Sequence, residues 1–418
     1  MNNTNNAKNW AEQSVFYQIY PMGFFNAPKE NDGILVHRMQ KMHEWIDYIS
    51  DMGFNAIYFS PIFESDSHGY DTRDFRKIDC RLGDNDDFKL ICKELHEKGI
   101  KVTLDGVFNH VGRGFWAFED VKKNKQGSQF KDWFNIDFNG NSGYNDGFYY
   151  EGWEGHYELV KLNLKNGAVV SHIFDCIKQW VEEFDIDGLR LDVAYCLDKD
   201  FIKQLKQFVM TLKPDFYLIG ECLFGDYNLV MNDEMLNSVT NYECYKGLHS
   251  SFNTNNFCEI SYSLNRQFGK ENWTIYRDKH LLSFVDNHDV SRIASMLAEP
   301  KNLPLIYGIL FTMPGIPCIY YGSEWGEEAL KQNGSDDNLR PSFEKPITNE
   351  LSTLIKKYVE IKKNSKALNF GSYTNIVASN KQWIFERIFE DERILVAINI
   401  DSEPFVFHFD AKKGETLN

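Results

Sequence analysis

One short apolar segment of this chain carries an arginine and an aspartate in positions where they could act together. Between residues 188 and 193, Leu, Leu and Val alternate with Arg190 and Asp192. A period of two predicts a β-strand, so both polar side chains point to the same face. A buried Arg beside an Asp keeps the carboxylate ionised and fixes its direction, which suits a nucleophile. Taken alone, such a pair would more often be a structural ion pair.

Three other apolar segments end in similar polar groups, at 105–110, 220–221 and 286–289. Together with the Arg190–Asp192 segment, these segments supply a group of polar side chains at strand ends: Asp105, His110, Arg190, Asp192, Glu221, His288 and Asp289. Paired carboxylates without an obvious metal cluster are typical of glycosidases, in which one carboxyl protonates the leaving oxygen. Glu221 follows two apolar residues, where loss of water raises the pKa of a carboxyl and keeps its proton available.

The segments that carry these groups predict an α/β protein. Eight strands alternate with helical patterns, near residues 15–20, 55–59, 101–107, 188–193, 216–220, 238–240, 281–285 and 316–321. This alternation predicts an eight-stranded TIM-type barrel, whose active site lies at the carboxyl ends of the strands. The alternative is a doubly wound open sheet, which is disfavoured because no Gly-rich phosphate loop follows the first strand.

Two stretches interrupt or follow the barrel pattern. The barrel is predicted over 1–108 and 168–366, with an inserted irregular domain over 109–167 that is rich in Gly, Asn and aromatic residues. Residues 367–418 are predicted as a small C-terminal antiparallel β domain, with strands near 383–389, 394–400 and 405–409.

Composition excludes some partners. The 418 residues carry a formal net charge of −16, which argues against nucleic acid and anionic membranes as partners. No apolar run is long enough to span a membrane, and the polar N-terminus lacks a signal core. A cytoplasmic location is therefore expected, with secretion as the alternative if a natural signal peptide precedes this sequence. The 8 scattered Cys are expected to be reduced.

With these motifs, the sequence resembles the α-amylase family of glycoside hydrolases over nearly its whole length. Segments 105–110, 188–194 and 284–289, together with Glu221, are similar to that family's four signatures, in the same order. Segments 15–21 and 315–322 and the pair Tyr70-Asp71 also resemble its framework. The inserted segment would then correspond to the family's domain B, and the β tail to its domain C.

The resemblance implies a role for each residue of the group. Asp192 would be the nucleophile, Glu221 the general acid/base and Asp289 the transition-state stabiliser. The substrate-binding residues would be Tyr70, Asp105, His110, Arg190, His288, Asp336 and Arg340. Within this set Arg190 would orient the nucleophile, and Tyr70 would stack on the sugar next to the cut. For Asp336 and Arg340, which resemble a pair that contacts the second sugar, an exposed loop salt bridge is an equal alternative.

Finer motifs resemble the neopullulanase and cyclomaltodextrinase branch, notably 68–75, 130–134 and 161–163. That branch usually carries an extra N-terminal β domain, which we do not expect here because the first strand begins near Val15. Tyr195-Cys196 stands where many amylases have Lys-His. Lys161 stands where many place an acidic calcium ligand, so no cofactor is expected beyond weak Ca²⁺ binding near Asn109.

The sequence therefore predicts a retaining hydrolase of α-1,4 bonds in maltodextrins, of the α-amylase type. The alternatives are a cyclomaltodextrinase or neopullulanase, an α-glucosidase, a 4-α-glucanotransferase and a non-catalytic carbohydrate-binding relative. The last is disfavoured because all three candidate catalytic carboxylates are present. The expected partner is an α-glucan or maltooligosaccharide, and the sequence assigns no oligomeric state.

Overall fold

The computed structural model describes residues 9–408. Its strands are β1 (Phe16–Ile19), β2 (Ala56–Phe59), β3 (Phe63–Ser65), β4 (Thr72–Ile78), β5 (Lys101–Gly106), β6 (His110–Gly112), β7 (Ile136–Asp137), β8 (Tyr149–Tyr150), β9 (Gly152–Trp153), β10 (His156–Lys161), β11 (Gly188–Leu191), β12 (Tyr217–Gly220), β13 (Ser238–Val239), β14 (Leu282–Ser283), β15 (Ile316–Tyr320), β16 (Ser372–Ala378), β17 (Gln382–Phe389) and β18 (Glu392–Asn399). Its α-helices are α1 (Pro21–Phe24), α2 (Met42–Asp51), α3 (Asn85–Glu97), α4 (Trp116–Asn124), α5 (Gly167–Phe184), α6 (Lys199–Leu212), α7 (Tyr242–Asn253), α8 (Phe257–Phe268), α9 (Ile293–Met296), α10 (Leu303–Thr312), α11 (Glu350–Asn364) and α12 (Lys366–Phe370).

The main sheet is a barrel of eight parallel strands. Its order is β13-β12-β11-β5-β2-β1-β15-β14, and a parallel bridge between Thr240 and Leu282 joins the two end strands. The predicted barrel is confirmed, and the open doubly wound sheet is wrong. Every one of the eight predicted strands is present, although β13 and β14 have only two residues each. Because both faces of these strands are buried, they are apolar nearly throughout.

The helices cover the outside of the barrel. Most of them present an apolar stripe, namely α2, α3, α5, α6, α8 and α11, which agrees with the helical patterns predicted between the strands. The sequence analysis did not find α10, which is apolar nearly all round and therefore shows no helical period. None of the helices within residues 9–408 has the length and apolarity required to cross a membrane. None of the eight cysteines, all within that range, forms a disulfide.

The segment between β5 and α5 has its own small sheets. Strands β6, β10 and β9 form one antiparallel sheet, and β7 pairs with β8. A nine-residue helix, α4, also lies in this segment, where the sequence pattern indicated no long helix. Its buried residues Ala117, Phe118 and Val121 pack into the aromatic interior of the insertion, so tertiary packing rather than a long period specifies it.

The C-terminal sheet is antiparallel, as predicted, but its strands differ from the expectation. It has the order β16-β17-β18, in which β17 and β18 coincide with two predicted strands. The sequence analysis missed β16 and the helix α12 at the predicted boundary. In β16 Ser372 is exposed, Tyr373 is buried and the other five positions are all half-buried, so the strand shows no alternation. The third predicted strand was wrong over residues 405–408, which form no strand, and Phe409 lies outside the described residues.

One buried carboxylate fixes the lower end of the strand that carries Arg190. Asp187 precedes β11 and accepts bonds from His96 Nε2 at 2.8 Å, Lys101 Nζ at 2.9 Å, Lys213 Nζ at 3.0 Å and Val102 N at 2.9 Å. Burial opposes its charge, yet these donors outweigh burial and lower the pKa of Asp187 well below its usual value. The carboxylate therefore joins β11 to its neighbour β5 and to two helical segments.

The variant Asp187→Asn should lower the free energy of unfolding by about 2–4 kcal/mol, since it removes a buried charge that compensates the ammonium groups of Lys101 and Lys213. Because the folded pKa is depressed, this stabilisation is fully present above the unfolded value of about 3.9 and is lost progressively as pH falls from there toward the folded value. Urea unfolding at neutral pH and near pH 3 measures both effects.

The matched control is Asp185→Asn. Its carboxylate contacts the same Lys213 at 2.6 Å, but 68% of the side chain is exposed. We expect a loss of less than about 1 kcal/mol. Equal losses in the two variants would contradict the anchoring role of Asp187.

Candidate active site

A single buried guanidinium contacts three carboxylates at the carboxyl end of the barrel. Arg190 Nη1 lies 2.9 Å from each carboxylate oxygen of Asp105 and 2.8 Å from Asp192 Oδ1. Its Nη2 lies 2.6 Å from Glu221 Oε1. Three neighbouring strands bring these groups together, because Arg190 on β11 is in register with Asp105 on β5 and with Ile219 on β12. All four residues are among those predicted from the sequence.

The charges of this cluster do not balance if every carboxyl is ionised. Three carboxylates surround one guanidinium, and all of these side chains are nearly inaccessible to solvent. Burial raises the pKa of Glu221 and of Asp192 above the usual values, although Arg190 opposes the shift in both. Burial raises the pKa of Asp105 as well, although Arg190 and hydrogen bonds from Tyr58 at 2.8 Å and Tyr70 at 3.2 Å oppose the shift. The cluster therefore favours retention of a proton among its three carboxyl groups.

Glu221 is held by the backbone of the neighbouring strand. Its Oε2 accepts a hydrogen bond of 3.0 Å from Val193 N. Val193 has φ of 40° and ψ of 47°, a left-handed conformation that is strained for a β-branched residue. Such strain persists where the surrounding structure imposes it, often at functional sites. The turn after Asp192 thus aims a backbone donor at the second carboxylate.

Both predicted histidines lie in the mouth and are neutral. Burial lowers the pKa of His288 to about 3 and that of His110 to about 3. Gln18 Nε2 lies 2.8 Å from Nδ1 of His288, so its amide donates there and leaves the hydrogen on Nε2. That Nε2 is in close contact with the Tyr70 hydroxyl, whose ring is nearly parallel to the imidazole.

His110 has an unused hydrogen-bonding atom. Its Nε2 lies 3.9 Å from Asp192 Oδ2, is buried and has no hydrogen-bond partner within residues 9–408. Leaving a buried polar atom unpaired costs free energy, so this nitrogen is ready to bond a ligand beside Asp192.

Asp289 lies across the mouth and is bound to Arg340. Arg340 Nη2 lies 2.9 Å from Asp289 Oδ1, and His288 Nε2 lies 3.1 Å from Asp289 Oδ2. Burial opposes the charge, but His288, Arg340 and Arg190 together lower the pKa of Asp289. Asp336 is farther from the centre, at 3.5 Å from Arg340 and 3.3 Å from Lys331. The structure thus connects Arg340 directly to the site, and Asp336 indirectly, through Arg340 and through Lys331, which donates to Asp289 O at 2.8 Å.

The sequence analysis missed three residues that complete the site. Gln18 on β1 orients His288, Tyr58 on β2 donates to Asp105, and the Tyr20 ring lies 4.4 Å from the Arg340 guanidinium. All three side chains are buried. A polar group inside an otherwise apolar barrel strand was the available signal, since buried polar groups need partners.

The residues near Asn109 do not fit a calcium ion. Asn109 lines a cavity of about 300 Å³ together with Asn135, Asn163 and Asp198, but Lys161 and Lys165 line it too. The Lys161 ammonium lies 3.7 Å from Glu151 Oε2. Calcium requires six to eight oxygen ligands, and two cations at the same cavity oppose it.

Comparison with known proteins agrees with this geometry. Residues 18–369 match the family model described as the catalytic domain of alpha amylase. A cyclomaltodextrinase from Thermoanaerobacter pseudethanolicus is 31% identical over 439 residues, which cover 98% of this chain and 74% of that protein. The intracellular maltogenic amylase of Bacillus subtilis is 31% identical over 93% of this chain and 68% of its own length.

A solved structure shows the same fold. The cyclic α-maltosyl-(1→6)-maltose hydrolase from Arthrobacter globiformis, in complex with cyclic α-maltosyl-(1→6)-maltose, superposes with a TM-score of 0.82 at 26% identity. The match covers 93% of this chain and 91% of that one.

Chelation should have little effect on this protein. Because Lys161 contributes a positive charge where a calcium ion would bind, incubation with EDTA should leave both the melting temperature and the hydrolytic activity unchanged. Differential scanning fluorimetry and an activity assay measure the two. A marked fall in both that added Ca²⁺ restores would show that other oxygen ligands had been overlooked.

Proposed function

This chain belongs to the α-amylase family of glycoside hydrolases, and from that premise we propose that it hydrolyses cyclic and linear maltooligosaccharides with retention of configuration. The observation that carries the proposal is the Arg190 cluster, in which one guanidinium holds Asp105, Asp192 and Glu221 at the barrel mouth. The named relatives support a cyclomaltodextrinase or maltogenic amylase activity better than an α-amylase activity on long starch chains.

In the proposed mechanism Glu221 is the general acid and Asp192 the nucleophile. Glu221 donates its proton to the glycosidic oxygen while an Asp192 oxygen attacks the anomeric carbon, so the bond to the leaving sugar breaks and a glycosyl ester forms. Water then gives a proton to Glu221 and attacks the same carbon, which releases the sugar and restores the carboxylate. Burial raises the pKa of both Glu221 and Asp192, which favours one proton held by the pair, and the mechanism places that proton on Glu221.

Strand geometry supports retention. Asp192 directly follows the last residue of β11, and Glu221 directly follows the last residue of the adjacent strand β12. The two strands end level with each other, since Leu191 is in register with Gly220. Adjacent strands are about 4.8 Å apart, close to the carboxyl separation of about 5–5.5 Å that retaining enzymes use. An inverting pair needs about 6.5–9.5 Å to admit a water molecule.

The remaining residues of the mouth would bind the sugars. Asp289 would stabilise the positive charge that develops on the ring, and His110 and His288 would donate to hydroxyls as neutral imidazoles. Tyr195 and Phe224 follow the two reacting carboxylates by three residues, and their ring centroids are 5.5 Å apart. With 69% of its surface exposed, Phe224 offers an aromatic face to the leaving sugar.

The cellular location is also a proposal. One of the similar proteins is named an intracellular maltogenic amylase. That name supports a cytoplasmic enzyme.

The variant Glu221→Gln should reduce kcat on maltoheptaose by about two to four orders of magnitude, because the proton donor is lost. Its melting temperature should not fall, since the change removes one of three carboxylates around a single cation. The control is Glu154→Gln, an exposed carboxylate near Tyr195 that makes no contact with Arg190. Turnover close to that of the wild type in Glu221→Gln would reject the assignment.

The stereochemical prediction is that the first product has the α configuration. Proton NMR of maltoheptaose hydrolysis, recorded before mutarotation, distinguishes the anomers. An initial β-anomer would mean single displacement and would exclude Asp192 as the nucleophile.

The substrate prediction is that β-cyclodextrin and maltoheptaose are both hydrolysed with higher kcat/KM than soluble starch, and that pullulan is cleaved detectably. Chromatography of the products gives the four rates. A preference for starch over both small substrates would instead favour an α-amylase activity on long starch chains.

A further inference from the structure

A second cavity lies at the opposite end of the barrel from the catalytic mouth. Its volume is about 360 Å³, within the range of small-molecule sites. Lys279 and His280 precede β14, with Leu281 between them and the strand, and Pro314 and Gly315 directly precede β15, so these residues lie at the amino ends of the strands. The C-terminal sheet closes the cavity from the other side with residues that include Arg387.

The cavity is positive although the protein is strongly negative. The cations that line it are Lys270, Arg277, Lys279 and Arg387, together with His280, and Asp278 is the one acidic residue among them. The whole chain has a net charge of −16, so a concentration of cations here differs from the surroundings. None of the four Lys and Arg residues forms an ion pair with a carboxylate in the described part of the chain, residues 9–408.

Two of the cations in this region are fully buried. Arg387 donates to Thr312 O at 2.9 Å and to Gly371 O at 2.9 Å, and its Nε is buried without a hydrogen-bond partner within residues 9–408. Behind the cavity wall, Lys362 donates to Gly315 O at 3.1 Å and to Leu368 O at 2.8 Å. These carbonyls position the two side chains, but they carry no net charge.

Burying cations without a counter-charge is costly. Burial lowers the pKa of Arg387 to about 9, and burial together with Arg387 lowers the pKa of Lys362 well below its usual value. An anion in the cavity would offset both costs. Arginine and lysine are the side chains that bind phosphate groups most strongly.

We propose that this cavity binds a small phosphate-bearing anion, either free phosphate or a phosphorylated monosaccharide. Arg277 and Lys279 lie at the rim and would contact the phosphate, and Arg387 lies at the base. Phe268 and Phe370 supply apolar walls that suit the body of a sugar. The site is separate from the catalytic carboxylates, and its existence does not depend on the activity proposed above.

The test is calorimetric titration of the whole enzyme with inorganic phosphate, glucose 6-phosphate and uncharged glucose, at constant ionic strength. The double variant Arg277→Gln/Lys279→Gln should weaken phosphate binding by about tenfold or more, because charge-assisted bonds are lost. The control Lys93→Gln/Lys301→Gln removes two exposed cations elsewhere, with side-chain exposures of 71% and 73%, and should bind like the wild type. The melting temperature should rise with phosphate in the wild type and the control only.

Tighter binding of glucose 6-phosphate than of inorganic phosphate would assign the site to a phosphorylated sugar, and the reverse order to free phosphate. Binding should persist in Glu221→Gln, whose change lies at the other end of the barrel. Absence of binding of both anions to the wild type, or equal affinity in the cavity double variant, would overturn the proposal.

Discussion

The arrangement of the catalytic mouth depends on one guanidinium that serves three carboxylates. Arg190 can bridge Asp105, Asp192 and Glu221 only because of the position of its strand. Asp192 follows Arg190 on the same segment, and β11 lies between β5, which carries Asp105, and β12, which ends before Glu221. One positive charge is too few for three negative ones in a buried space, so the cluster is anionic and tends to retain a proton. A site that must offer a proton and an anionic attacker together requires this imbalance.

The same requirement explains the residues around the cluster. Tyr58 and Tyr70 donate to Asp105 and, with Arg190, oppose the rise in its pKa that burial causes. Asp289 pairs with Arg340, and His288 and Arg190 also lower its pKa. The mouth therefore contains a further carboxylate that stays ionised, and the sugar ring would lie between it and the other three.

Much of this could be predicted from the sequence, because parallel barrel strands are short, apolar and followed by polar groups. The segment that contains Arg190 and Asp192, in which β11 ends at Leu191, is a clear case of period-two alternation. The sequence could not reveal α10, whose uniform apolarity hides its period, or β16, whose largely half-buried positions show no alternation. Gln18 and Tyr58 were missed for a different reason. Their importance lies in contacts with His288 and Asp105, which are far away in the chain and become neighbours only when the barrel closes.

The closure of the barrel has a consequence for its motion. The strands β13 and β14 have two residues each, and one bridge, between Thr240 and Leu282, joins them. Because this junction between β13 and β14, the seam of the barrel, has so few backbone hydrogen bonds, local opening of the barrel would begin there. Its amides would exchange with solvent sooner than those of β5 or β11. Asp289 follows β14 at this seam, whereas Arg190 lies on β11, which is paired along its length with β5 and β12. Local opening would thus shift the Asp289 side of the cleft more than Arg190 and Asp192, so the grip on a sugar could loosen while the nucleophile keeps its position.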